Sequence, residues 1–276
     1  MANVYLIDCE LNYEVYEEST FVFNIEASLQ WDQQIDNESL TTVPDHLVPQ
    51  TYTDWLGNRY LKYLVPPGAF SIRYVAHATV PMRPDPTVLR EVDPKDLPLD
   101  VLPFLGGSRY VESEEIFHDA LNWIGAHDRG WARVNRICEW VHSNVEYRIG
   151  TSLANGTALD VLKNRTGVCR DFAHVSIALC RTLAIPARFV TGHVHWDTPP
   201  PDFHALFEAY LDGHWILFDA TRMADPSHVL RIGTGLDAAD VAFSTIFGRA
   251  LMTRMSPLVS EVAAGAGSRT APQPIV

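Results

Sequence analysis

Hydrophobic and polar positions alternate along the first 80 residues in a way that predicts β-structure. Phe70-Ser71-Ile72-Arg73-Tyr74-Val75-Ala76-His77-Ala78-Thr79-Val80 has the period of two expected of a strand with one buried face. Glu14–Tyr16, Thr20–Ile25 and Tyr60–Val65 are strand-like, with turn signals at Leu56–Arg59 and Pro66-Pro67-Gly68. From 81 to 107 the pattern lapses. Prolines at 81, 84, 86, 94, 98 and 103, followed by Gly106-Gly107, predict an extended connector and a domain boundary. A helical period then takes over. Ser113 to about Gly125, Asp128 to about Tyr147, and the short Thr157–Leu162 read as helices. In 169–184, Phe172, Leu179, Cys180 and Leu183 recur at helical spacing, with Thr166 as the expected cap. Pro186 stops that pattern, 187–196 reads as a strand, and 197–202 as a loop.

The next stretch fixes its own register. Asp212-Gly213 is a strong hairpin signal between Phe203–Tyr210 and Trp215–Thr221. A two-residue turn there pairs 211 with 214, 209 with 216, 207 with 218 and 205 with 220. One face becomes Phe203, Ala205, Phe207 and Ala209 against Ile216, Phe218 and Ala220, wholly apolar. The other carries His204, Leu206, Glu208 and Tyr210 against Trp215, Leu217, Asp219 and Thr221. A slip of one residue would mix the two faces.

Composition narrows the function classes. The 276 residues carry a formal net charge of −13, which argues against nucleic acid or an anionic membrane as partner. No apolar run approaches the roughly 20 residues of a membrane span. Met1–Asp8 lacks the basic and apolar regions of a secretory signal. Cys9, Cys138, Cys169 and Cys180 form no CxxC pair. Cys169 and Cys180 would lie roughly 16 Å apart along one helix, too far to bridge. Free thiols in a reducing cytoplasm are therefore expected.

Candidate chemistry concentrates on three residues. Cys169 falls in the first turn of its helix, where free N–H groups and the helix dipole favour an anion. In the hairpin register His204 and Asp219 are same-face diagonal neighbours, roughly 7–8 Å apart at the backbone. A carboxylate on one ring nitrogen leaves the other free to take a proton from a thiol, which is the logic of acyl-transfer catalysis. Cys138 belongs to an apolar helix face and reads as core. His193 and His195 share one side of a strand, but two ligands without a third do not make a metal site.

The residues that carry this chemistry, taken in order, resemble a known family. Gly167-Val168-Cys169-Arg170-Asp171-Phe172-Ala173, Ile185–Gly192, Asp202-Phe203-His204-Ala205 and Trp215–Thr221 are similar to the transglutaminase-like core, over about residues 113–250. The resemblance is greatest to bacterial members described as cysteine proteases, in which a β-domain precedes the core. It implies a papain-like α+β fold, with a Cys-bearing helix packed on an antiparallel sheet and an N-terminal β-sandwich-like domain. The expected division is a β-domain over 1–80, a connector over 81–112, a catalytic core over 113–255 and a loose tail over 256–276. It also implies Cys169 as nucleophile, His204 as base and then acid, and Asp219 as orienter, with no cofactor and no metal. The expected substrate is a peptide or protein, and a homo-oligomer is left open. Gly235–Val241 is similar to a segment that this bacterial group carries after the Asp strand. Leu206 stands where the family commonly has Trp, and Leu236 where it often has Arg. Tyr147 and Thr157 are candidates for a second oxyanion donor beside the Cys169 N–H. Hydrolysis is the favoured reaction. A cross-linking transglutaminase, an acetyl-CoA-dependent acyltransferase and a non-catalytic peptide-binding module are the alternatives.

Overall fold

A computed structural model describes residues 3–29, 33–81, 85–125, 129–196 and 202–262. The expected loop at 197–201, the helix start at Asp128 and the tail residues 263–276 lie outside these. In chain order the elements are β1 (Asn3–Val15), β2 (Ser19–Phe23), β3 (Gln34–Val43), β4 (Gln50–Thr53), β5 (Arg59–Val65) and β6 (Gly68–Val80). Then come α1 (Phe117–Ile124), α2 (Trp131–Asn144), β7 (Glu146–Tyr147), α3 (Ala158–Asn164), β8 (Thr166–Gly167) and α4 (Cys169–Thr182). The chain continues with β9 (Ala187–His193), β10 (His204–Leu211), β11 (His214–Phe218), β12 (Leu230–Gly235), β13 (Ser244–Phe247) and β14 (Ala250–Val262).

The β-domain is two four-stranded antiparallel sheets, ordered β14-β1-β6-β3 and β13-β2-β5-β4. Alternate residues of β1, β5 and β6 are buried, as the period of two requires. Between the sheets Tyr13, Phe21, Phe23, Tyr63 and Phe70 pack ring against ring, with centroids 5.1–6.3 Å apart. Each such ring removes a large apolar area from water, so this cluster anchors the sandwich.

Two strands of this domain come from the far end of the sequence. β13 pairs with β2, and β14 pairs with β1 from Val4↔Val262 to Val15↔Ala250. The loose tail expected from Ser256 therefore does not hold for Ser256–Val262. Val259 is buried in the sandwich core, and β1 offers that stretch a full row of backbone partners. Few of those residues are large and apolar, so the pattern alone did not mark them as a strand.

The second unit sets helices on one face of an antiparallel sheet ordered β11-β10-β9-β12. The whole is thus a mixed α+β fold with a β-rich N-terminal region. β10 and β11 pair Leu211↔His214, Ala209↔Ile216 and Phe207↔Phe218, the register that the Asp212-Gly213 turn predicts. Asp212 and Gly213 have φ of 45° and 84°, and positive φ at both central residues defines the type I′ turn. Ala205, Phe207, Ala209, Phe218 and Ala220 join the core that includes α4.

The opposite face is also covered. Leu206 and Leu217 pack with Val190, Val194 and Val229, while Tyr210 packs with Leu97 and Val101 of the connector. Every residue of β9 and β10 is consequently buried. Glu208 lies fully buried on this covered face, gripped by Arg188 and Arg231 at 2.6 Å each. The two flanking guanidiniums outweigh the penalty of burial and hold its carboxyl down at about 2.

Backbone hydrogen bonds join the two units. Ser28 N–H donates to the Arg231 carbonyl at 2.8 Å, and Asn24 N–H to the Phe243 carbonyl at 3.1 Å. Asn58 bonds both backbone groups of Thr234 at 2.8 Å. No described helix is long and apolar enough to cross a membrane.

Candidate active site

Cys169 is the first residue of α4 and is half-buried. The cap differs from expectation. Thr166 pairs with Glu146 in the two-stranded parallel β7–β8 ladder, and Val168 is the N-cap. With no side-chain oxygen on Val168, Asp171 in the first turn takes over and accepts from Val168 N–H at 2.9 Å. Gly167 permits this, since a Cβ there would lie 2.6 Å from Asp171 Cβ. The same ladder puts Tyr147 opposite Gly167, two residues before Cys169. The Tyr147 phenol lies against Cys169, whose backbone N–H and thiol both act on it. Burial, followed by the charge of Cys169, pushes the phenol up to about 12. Arg170 ties the preceding loop to the helix start through Ser152 Oγ at 2.9 Å and the Leu153 carbonyl.

His204 opens β10 and is 2 % exposed. Its Nε2 lies 3.0 Å from Asp219 Oδ2. Cys169 acts on the same ring, and since Nε2 faces the carboxylate, Nδ1 is the atom left for the thiol. Trp196 packs edge-on against the imidazole at 5.2 Å. Burial disfavours an imidazolium here, but the hydrogen bonds to Asp219 and Cys169 and their charges outweigh it, raising His204 to about 9.

Asp219 follows the last residue of β11. It accepts from Thr221 N–H at 2.9 Å, Thr221 Oγ1 at 2.7 Å, Met223 N–H at 3.1 Å and Ala224 N–H at 2.9 Å, besides His204. Burial favours the neutral acid, yet the His204 contact and these donors prevail and keep its pKa below the ordinary value. A carboxylate fixed by four groups besides the imidazole cannot swing away, so it holds the ring and sets its tautomer.

The structure thus brings Cys169, His204 and Asp219 together, with Tyr147 at the thiol. Thr157, the other candidate oxyanion donor, is elsewhere employed. It caps α3 in a reciprocal box with Asp160. The sequence reading missed Thr221 and Trp196 as supports of Asp219 and His204. A threonine two residues after an aspartate is the signal that could have found the first. Cys9, Cys138 and Cys180 are buried, and burial pushes all three thiols up. His193 and His195 turn to backbone carbonyls of the β-domain, Ile25 at 2.9 Å and Val259 at 2.8 Å. Among the described residues no group of three or more His, Cys, Asp or Glu could hold a metal ion.

The departures from the family pattern have distinct surroundings. Leu206 fills an apolar cluster beneath His204. Leu236 accepts a hydrogen bond from Arg181 through its backbone carbonyl, leaving its side chain to line a cleft away from the thiol. The Gly235–Val241 segment clips onto the Cys169 helix. Ala238 N–H donates to the buried His174 Nε2 at 3.2 Å, and Asp237 accepts from Tyr110 N–H at 2.9 Å.

Comparison with known proteins agrees with this architecture. Residues 122–220 match the model of the transglutaminase-like superfamily, a stretch that holds Cys169, His204 and Asp219. The crystal structure of a "putative cysteine protease" from Cytophaga hutchinsonii is 35% identical, with a TM-score of 0.87 over 99% of this chain and 93% of that one. The periplasmic domain of TgpA from Pseudomonas aeruginosa is 16% identical with a TM-score of 0.46, covering 78% of this chain and 77% of that domain. Among curated proteins, the uncharacterized protein ML0607 of Mycobacterium leprae is 31% identical over 110 residues. That match takes in 37% of this chain and only 39% of the relative's length. The near-complete correspondence with the Cytophaga hutchinsonii structure, joined to the family match, means that this chain belongs to the transglutaminase-like superfamily, a family of thiol-dependent enzymes.

Proposed function

We propose that the protein is a cysteine hydrolase of peptide or carboxamide bonds, with Cys169, His204 and Asp219 as its triad. The observation that carries this reading is the buried His204 Nε2–Asp219 Oδ2 hydrogen bond of 3.0 Å on an imidazole that Cys169 also acts on. The name of the Cytophaga hutchinsonii relative supports it.

In this mechanism the Cys169 sulfur attacks the substrate carbonyl carbon as a thiolate, its proton held on His204 Nδ1. The carbonyl oxygen becomes an oxyanion beside the Cys169 backbone N–H and the Tyr147 hydroxyl, which both turn to it as donors. Collapse of the tetrahedral adduct breaks the C–N bond as His204 passes its proton to the leaving nitrogen. A thioester remains. Water then gives a proton to His204 and attacks the thioester, releasing the acid and restoring the thiol. Asp219 keeps the imidazole oriented and stabilises its cation throughout. The four free thiols fit a reducing compartment such as the cytoplasm.

The test is iodoacetamide labelling of each cysteine against pH, followed by a screen of peptide and amide substrates. Cys169 should label fast at neutral pH, and His204→Ala should slow it, while Cys9, Cys138 and Cys180 stay inert in the folded protein. If Cys169 reacts no faster than the buried thiols and His204→Ala changes nothing, the enzyme reading fails. Adding a primary amine separates hydrolysis from transamidation, because only the latter converts the acyl group into a new amide.

A further inference from the structure

A second concavity lies apart from the thiol site, where three stretches of chain meet. A cleft of about 300 Å³ is lined by Asp54 and Trp55 of the β4–β5 turn, Tyr60 of β5, Phe104 of the connector, and Leu236 and Asp240 after β12. Its volume falls at the lower end of the range for small-molecule sites. The walls are aromatic. Trp55 is 71% exposed and its ring lies 6.5 Å from the buried Phe104, which in turn packs edge-on against Trp215 at 5.1 Å. A large indole left this exposed beside a cleft is an unused binding face.

The charge in the cleft is all of one sign. Asp54 and Asp240 both line it, and among the described residues none of the lining is basic. Asp54 is fixed by Leu56 N–H, Asn58 N–H and Asn58 Nδ2, each at 2.9 Å. Asp240 accepts from Leu236 N–H at 2.7 Å. Tyr60 links the two sides, its hydroxyl donating to the Asp240 carbonyl at 3.0 Å and lying 3.4 Å from Asp54 Oδ2. Arg181 is close enough to act on Asp240, but its donors go to the carbonyls of Ala187, Gly106 and Leu236 and to Ser108 Oγ. Burial, together with the charges of Asp237 and Asp54, holds the Asp240 carboxyl above its usual range. Burial and the charge of Asp54 push the Tyr60 phenol up to about 12. The Asp240 carboxylate would be relieved by a positive charge arriving from outside.

We propose that this cleft binds an organic cation, the guanidinium or ammonium end of an arginine- or lysine-like group, between the exposed Trp55 ring and the Asp54 and Asp240 carboxylates, over a floor that includes the buried Phe104. Aromatic faces attract cations through the ring quadrupole, and two carboxylates without a basic partner in the cleft add a field of the same preference. Anions are repelled, and a neutral group of the same shape gains only the apolar contact. The cation can be a free small amine or guanidine, or the side chain of a polypeptide. The proposal is independent of the thiol chemistry.

Calorimetric titration of the full chain tests it, with Nα-acetyl-arginine N-methylamide, Nα-acetyl-lysine N-methylamide and the neutral norleucine analogue as probes. Saturable binding of at least one cation is expected, with none of the norleucine compound. Asp240→Asn keeps an acceptor for Leu236 N–H but removes the charge, and Trp55→Ala removes an exposed ring. Each should weaken binding by about tenfold or more while leaving thermal unfolding unchanged. Leu236→Arg brings a guanidinium into the cleft from within and should abolish binding of the probes. Ethylguanidinium binding as tightly as the arginine probe would assign the site to free small cations, and markedly weaker binding would assign it to polypeptide side chains. Failure of both cations to saturate, equal affinity for norleucine, or binding untouched by both Asp240→Asn and Trp55→Ala would overturn the proposal.

Discussion

The two sheets of the sandwich and the catalytic sheet are all antiparallel and four-stranded, yet they are buried in different ways. In the sandwich, β1, β5 and β6 present one apolar face inward and a more exposed face outward. In the catalytic sheet, β9 and β10 are buried on both faces, by α4 on one side and by the connector and the 222–229 loop on the other. A strand wet on one side can leave its polar groups to water. A strand covered on both sides cannot, so Glu208, His204 and Arg188 must find partners within the protein. The sheet that can hold a charged imidazole out of water is therefore the one whose buried charges, Glu208 and Arg188 among them, are paired within the protein.

The comparison can be broken most severely at the thiol. Cys169→Ala or His204→Ala should lower kcat by about 10⁴-fold or more, and the double variant should be no worse than either alone. Additive losses in steady-state kinetics would show that the two do not act as a unit. Next comes Glu208→Gln, which keeps shape but leaves two buried guanidiniums without their counter-charge. It should cost about 3–5 kcal/mol in urea unfolding. Phe21→Ala in the sandwich should cost a similar amount, about 3–5 kcal/mol, for lost volume rather than lost charge. A Glu208→Gln loss below about 1 kcal/mol would erase the distinction between the two sheets. Tyr147→Phe should reduce kcat by about 10²–10³-fold with KM little changed, if the phenol is an oxyanion donor.

The pH dependence separates the regions further. His204 is raised to about 9 from the ordinary 6.5. Its contribution to stability is complete below 6.5 and is lost as pH rises through about 9, and turnover should fall over the same interval. Glu208 is lowered to about 2 from 4.5, so its contribution is present above 4.5 and lost as pH falls through about 2. Unfolding curves of Glu208→Gln and wild type should therefore converge towards acid. The smallest effect belongs to the outer face of the sandwich. Leu64 is 59% exposed, and Leu64→Ala should move stability by no more than about 0.5 kcal/mol.

The same contrast decides what could be read from sequence. β5 and β6 were legible because one-sided burial writes itself as alternation. β1 carries that alternation from Tyr5 onward, but polar Asp8, Glu10 and Asn12 on its outer face left only its end recognisable. β3 and β4 are largely exposed and show no periodic signal. The hairpin was legible because Asp212-Gly213 fixes the register locally. That register is observed from Leu211↔His214 to Phe207↔Phe218, the expected 205–220 pair falling beyond the end of β11, and His204 and Asp219 come within a hydrogen bond just past the ladder. The Cys169 helix was likewise legible, though Asp171 caps it instead of Thr166, because reciprocal capping reaches back from inside the helix. Closure of the sandwich by β13 and β14 was not, since their partners lie at the other end of the sequence.

That closure makes the catalytic unit an insertion within the β-domain. Synthesis from the N-terminus delivers β1, then the whole thiol-bearing unit, and only afterwards the strand that completes the sheet of β1. The ladder from Val4↔Val262 to Val15↔Ala250 spans nearly the entire chain. Closing so long a loop carries an entropic cost that grows only as about (3/2)RT ln n, so the final fold bears it easily. Folding rate is more sensitive to such distant pairing than stability is. On the ribosome β1 thus waits with one edge unpaired until translation has passed residue 250. The sheet of the thiol site leans on that sandwich through Ile25, Ser28 and Asn58, so the ladder that joins the two ends of the described chain also shores up the site.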